Sequence, residues 1–106
     1  MAQVDWSRAA QSDVRAIAAH IAKDSQVYAE RMVDKLYAST KRLERSPLSG
    51  QMVPEIGREH VREVQCWPFR VLYVVEGNNC IVTAVIHGSR DFVSALPADR
   101  FKPELS

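Results

Sequence analysis

The chain has 106 residues, 46% of them hydrophobic, and a formal net charge of +1. That length allows one domain with a modest core, so a partner that completes the core is expected. The near-neutral charge excludes a global electrostatic case for nucleic acid or membrane, and each arginine must be weighed by its position.

No apolar stretch reaches the ~20 residues that a spanning helix needs. Met1 to Trp6 carries neither a basic start nor an apolar h-region, which points to the cytoplasm. Val4-Asp5-Trp6 predicts a short strand. Ser7 can cap a helix whose apolar positions Val14, Ile17, Ala18 and Ile21 fall on one face and which stops near Asp24. Ser25 can cap a second helix, with Ala29, Met32, Val33, Leu36, Tyr37, Thr40 and Leu43 aligned. The two helices predict an antiparallel hairpin that ends at Ser46-Pro47, because proline disfavours helical geometry in the residue before it.

Leu48 to Glu59, with Gly50, Pro54 and Gly57, reads as a loop. Three apolar runs then form a meander: Arg62 to Cys66, Phe69 to Val75 and Cys80 to Ile86. Residues 91–106 hold Pro97 and Pro103 and predict a short helical turn with a loose tail. The expected fold class is α+β. It comprises a short N-terminal strand, an antiparallel helix hairpin and a three-stranded antiparallel meander (β-α-α-β-β-β), with the helices on one sheet face.

A turn at Gly77-Asn78 pairs Val75 with Cys80 and Arg70 with Val85; one at Trp67-Pro68 pairs Cys66 with Phe69 and Gln65 with Arg70. Alternation then places Val64, Cys66, Phe69, Val71, Tyr73, Val82, Ala84 and Ile86 under the helices. The opposite face receives Val61, Glu63, Gln65, Arg70, Leu72, Val74, Thr83, Val85 and His87. In that register Arg70 and His87 are diagonal neighbours ~7 Å apart, within reach of one ligand. An arginine inside an apolar strand is costly to desolvate and asks for a reason. The plainer reason is a cross-strand pair between Arg70 and Glu63. Arg62, opposite Tyr73, can snorkel at the sheet margin. The same register puts Phe69 opposite Ile86 and Cys80 ~20 Å further along the strand at ~3.3 Å per residue. Cys66 and Cys80 are therefore expected as reduced thiols. His20, His60 and His87 show no ligand spacing, and no phosphate loop or nucleophile elbow is present, so neither metal nor cofactor is expected.

The ordered set of Trp6 to Ile21, Leu43-x-x-Ser46-Pro47-x-x-Gly50, Arg62-Glu63-Val64, Phe69-Arg70-Val71-Leu72-Tyr73 and Val85-Ile86-His87-Gly88-Ser89-Arg90 resembles the RelE/ParE superfamily of bacterial type II toxins, nearer its ParE branch. The resemblance spans roughly residues 4–92. It implies a toxin neutralised by a cognate antitoxin, ParD-like or similar, in a hetero-oligomer. RelE-like members cut messenger RNA in the ribosomal A site, whereas ParE-like members poison DNA gyrase. Cutting of the RelE type depends on basic residues on the strand before Arg70, on arginines matching Arg70 and Arg90, and on a later tyrosine. Here Val61 and Glu63 face Arg70, and the neighbourhood of Leu96 has no phenol. The expectation is gyrase inhibition without bond cleavage, through Arg62, Arg70, His87, Arg90 and Phe92. The alternative is a ribosome-dependent ribonuclease in which Arg70 and Arg90 clamp the phosphate and His87 moves the proton. Glu63, Leu72, Val74 and Val85 are expected as antitoxin contacts, on the view that a free chain exposes this apolar face.

Overall fold

The computed structural model describes residues 1–88, 93 and 96–101, in the order β1 (Val4–Trp6), α1 (Arg8–Ala22), α2 (Gln26–Ala38), β2 (Gln51–Met52), β3 (Val61–Cys66), β4 (Phe69–Glu76) and β5 (Asn79–His87). Both predicted caps are made: Ser7 Oγ accepts from the Ala10 N–H and Ser25 Oγ from the Tyr28 N–H, each at 3.1 Å. The second helix is shorter than its apolar pattern suggests. The Ser39 and Thr40 hydroxyls donate to the Leu36 and Tyr37 carbonyls, and the chain tightens into a 3₁₀ turn at Lys41–Glu44. Thr40 and Leu43 are still buried, as the pattern demanded.

Among the described residues the sheet has five strands, in the order β1-β5-β4-β3-β2. The three-strand expectation therefore gains two margins. β1 lies parallel to β5, and β2 forms inside the segment read as a loop, pairing Gln51 with Glu63 and Met52 with Arg62. The sheet is mixed rather than purely antiparallel.

Between β3 and β4 the register is the predicted one, with Cys66 opposite Phe69 and Gln65 opposite Arg70. Between β4 and β5 it starts as predicted, Val75 against Cys80, and then slips. Tyr73 faces Val82 and Leu72 faces Ala84, so Thr83 is a bulge residue without an opposite. Beyond it, Arg70 pairs with Ile86 instead of Val85, and Phe69 with His87 instead of Ile86. A one-residue slip exchanges faces. Val85 joins the helix-side core with Val14, Leu36, Val71 and Tyr73, whereas Ala84 and Ile86 move to the other side. The Val85 N–H donates to Asp13 Oδ2 on α1 at 3.0 Å, which holds the bulged strand against the helix layer.

The face away from the helices is not bare. Leu72, Val74, Ala84 and Ile86 pack with Val53, Val61 and Val93, with Ile56, Leu96 and Phe101 at the margin. Val53 follows β2, and its N–H donates to the Val61 carbonyl at 3.1 Å. A 3₁₀ turn at Ala98–Phe101 answers the predicted helical turn. From that turn Arg100 reaches both Asp13 oxygens, at 2.9 and 3.2 Å, and the Thr83 carbonyl at 3.1 Å. Cys66 and Cys80 are free thiols, raised above the ordinary thiol range by burial. Among the described residues, no helix is long and apolar enough to cross a membrane.

Candidate functional site

Arg70 is the second residue of β4, where alternation turns its side chain away from the helices. It is 9% exposed. Nε donates to Glu63 Oε1 at 2.7 Å and Nη2 to Glu63 Oε2 at 2.6 Å. Nη1 donates to Glu55 Oε2 at 2.8 Å and Nη2 to Glu55 Oε1 at 2.9 Å. Four N–H groups of a side chain that offers five are thus committed to carboxylates. Glu63 comes from β3, diagonally across the ladder from Arg70, and Gln65 Nε2 donates to it at 3.0 Å. Glu55 comes from the turn after β2, fifteen residues before Arg70.

The hydrogen bonds from Glu55 and then Glu63 raise the Arg70 pKa above its ordinary value, so the guanidinium is charged at every accessible pH. Two carboxylates thus share one guanidinium. A phosphate approaching Arg70 finds the guanidinium fork taken. The cross-strand pair expected from the sequence is present. Glu55 was not foreseen, because nothing local marks a loop glutamate as the partner of a distant arginine.

His87 is not Arg70's neighbour. Opposite Phe69, it lies on the helix side, its ring edge-on to Phe69 at 5.6 Å between centroids. With His20, Ile17 and Ile21 it lines an apolar hollow of about 270 Å³. The bulge at Thr83 is the physical reason, since it moves every later β5 side chain across the sheet. His87 therefore does not stand beside Arg70 to move a proton.

Arg62 does pair with Tyr73, but it fastens loops rather than snorkelling. Its Nε donates to the Glu59 carbonyl at 2.9 Å, and its Nη1 to the Gly50 and Leu48 carbonyls at 2.9 and 3.4 Å. On the same face the Tyr73 hydroxyl accepts from the Gly50 N–H at 2.9 Å and donates to the Pro47 carbonyl at 2.8 Å. Gly50 has no room for a side chain, because a Cβ there would stand 2.5 Å from both the Glu63 carbonyl and the Tyr73 hydroxyl. Burial raises the Tyr73 pKa.

Of the expected antitoxin contacts, Glu63 is spent on Arg70, and Leu72 and Val74 are fully buried under residues of their own chain. Val85 is buried on the helix side. The premise that a free chain exposes them is corrected. Arg90 and Phe92 lie outside the described residues.

The chain matches the family model described as the ParE toxin of the type II toxin–antitoxin system parDE, over residues 4–92. No curated protein matches it significantly. Among solved structures, it shares its fold with a chain of the chromosomal ParDE toxin–antitoxin system from P. aeruginosa. That likeness has 23% identity and a TM-score of 0.68, and covers 82% of this chain and 96% of the other. A chain of the RelBE2 toxin–antitoxin complex from Mycobacterium tuberculosis is 19% identical with a TM-score of 0.52, covering 81% and 90%. With the family model spanning everything from β1 through β5, the chain belongs to the ParE toxin family of type II toxin–antitoxin systems.

Proposed function

We propose that this toxin arrests growth in the cytoplasm by inhibiting DNA gyrase without breaking a bond itself, and that a cognate antitoxin neutralises it in a hetero-oligomer. The observation that carries the reading is the closed state of Arg70. Cleavage through a 2′-OH needs cations aimed at the crowded phosphate and a group that moves a proton. Here the central arginine is held by Glu55 and Glu63, and His87 lies across the sheet. Inhibition by occupancy needs neither group. Arg70 then serves by bracing the surface that the target meets, whereas Arg62 and His87 lie on the helix side of the sheet.

The antitoxin has to be accommodated differently from the first expectation. With Leu72, Val74 and Val85 already covered, its arm either displaces covering residues such as Leu96 and Phe101 or uses another surface. Cells that express the toxin alone should show gyrase-linked double-strand breaks and an SOS response, and coexpression of the adjacent gene product should abolish both. Codon-phased cuts in translated messages, seen by primer extension and lost in Arg70→Ala, would instead establish the ribonuclease alternative.

A further inference from the structure

Trp67 is 79% exposed. An indole offers roughly 200 Å² of largely apolar surface, and leaving that in water forfeits free energy unless a partner covers it. The chain's other tryptophan, Trp6, is half-buried and packs against Tyr37, with ring centroids 4.4 Å apart and the planes tilted by 46°.

Trp67 also stands on a rigid base. It forms, with Pro68, the two-residue turn between the paired residues Cys66 and Phe69. The Gly88 N–H donates to the Pro68 carbonyl at 2.7 Å, tying the end of β5 to the turn. That approach is close: a Cβ on Gly88 would come within 3.2 Å of the Pro68 oxygen and 3.4 Å of Arg70 Cγ. Immediately behind the turn, Arg70 is fixed by its bonds to Glu55 and Glu63. The ion cluster that closes the site to phosphate thereby braces the hairpin tip. A large aromatic held still loses little entropy on binding, as an interface anchor requires.

The surroundings identify the kind of partner. Gln51, Gln65 and the Glu55–Arg70–Glu63 cluster line a hollow of about 350 Å³ beside the indole, giving an apolar point with a polar, partly charged margin. A projecting side chain fits a pocket that already exists on a folded protein. An unfolded or helical arm brings projecting side chains of its own and needs grooves, such as the one of about 360 Å³ floored by Ala18, Ala22, Ala29 and Val33 between α1 and α2.

We infer that Trp67, at the braced β3–β4 turn, is the toxin's anchor on its target, seated in a preformed apolar pocket of a folded protein whose rim hydrogen-bonds Gln51 and Gln65. This rests on reading the chain as a toxin that acts by occupying a protein target.

The test titrates purified wild-type, Trp67→Ala and Trp67→Phe proteins into gyrase supercoiling reactions. Antitoxin affinity, oligomeric state and thermal melting are measured on the same samples. Trp67→Ala is expected to melt with the wild type and to bind antitoxin as well, yet to lose inhibition about 30-fold or more, the scale of an interface hot spot. Trp67→Phe should recover most of that loss. Unchanged inhibition by Trp67→Ala overturns the inference, as does a loss confined to antitoxin binding or to self-association. Should the wild type leave gyrase untouched, the proposed function fails separately. The same variants scored for growth arrest then decide the anchor: arrest lost in Trp67→Ala upholds it, and arrest retained overturns it.

Discussion

At the scale of single residues, the economy of Arg70 is set by burial. A guanidinium taken out of water is tolerable only with its donors satisfied, and removing one partner leaves an uncompensated charge. Glu63, 3% exposed, is the deeper partner, and Glu63→Ala should cost about 3 kcal/mol in urea unfolding. Glu55, with its side chain 23% exposed, should cost about 1 kcal/mol, because water can reach the vacated side. The reverse order would mean that Glu55 is the principal counter-charge. Tyr73 gives a second expectation. Its pKa is raised in the fold, so the neutral phenol is favoured there; the stabilisation is intact below about pH 10 and is lost as pH rises through the folded value. The Cys66 and Cys80 thiols are shifted the same way and add to the alkaline loss from about pH 9 upward. Unfolding free energy should therefore fall at alkaline pH, and Tyr73→Phe should flatten that fall. Which way Arg70 points was legible from alternation, and Glu63 was legible from ladder geometry. Glu55 was not, since a contact made by a folded loop leaves no mark in local pattern.

At the scale of elements, one inserted residue decides which face the second half of β5 presents. The turn chemistry at Gly77-Asn78 fixed the start of the β4–β5 register correctly, but nothing in Ile81-Val82-Thr83-Ala84-Val85 distinguishes a bulge from plain alternation. Both readings bury apolar side chains, because both faces of the sheet are covered. The partners that hold the bulge lie far away in the chain: Asp13 takes the Val85 N–H, and Arg100 takes the Thr83 carbonyl while pairing with Asp13. Alanine at Asp13 should destabilise by about 2 kcal/mol and at Arg100 by about 1 kcal/mol, since Asp13→Ala also strands a backbone donor. A double-mutant cycle should give a coupling of about 0.5 kcal/mol or more, and strict additivity would show that the pair bears no load. The same blindness hid β2, because a strand of two residues carries too little periodicity to be told from loop and only pairing with β3 defines it. Val4–Trp6 was legible as a strand, but its parallel place beside β5 was not.

At the scale of the whole molecule, a sheet covered on both sides leaves few places for function. Helices shield one face, and the Val53–Ile56 turn with Val93, Leu96 and Phe101 shields much of the other. Family membership was legible because it depends on the order and spacing of motifs, which survive a local slip in register. The role of the site was less legible, because it turns on whether an arginine is open or closed, a property of three side chains from three elements. With Arg70 closed, the proposed action is by occupancy. Supercoiling by purified gyrase, measured as the purified toxin is titrated in, tests this most directly. Dose-dependent inhibition, relieved by the cognate antitoxin, is the predicted result; supercoiling unchanged at every toxin concentration would contradict the account.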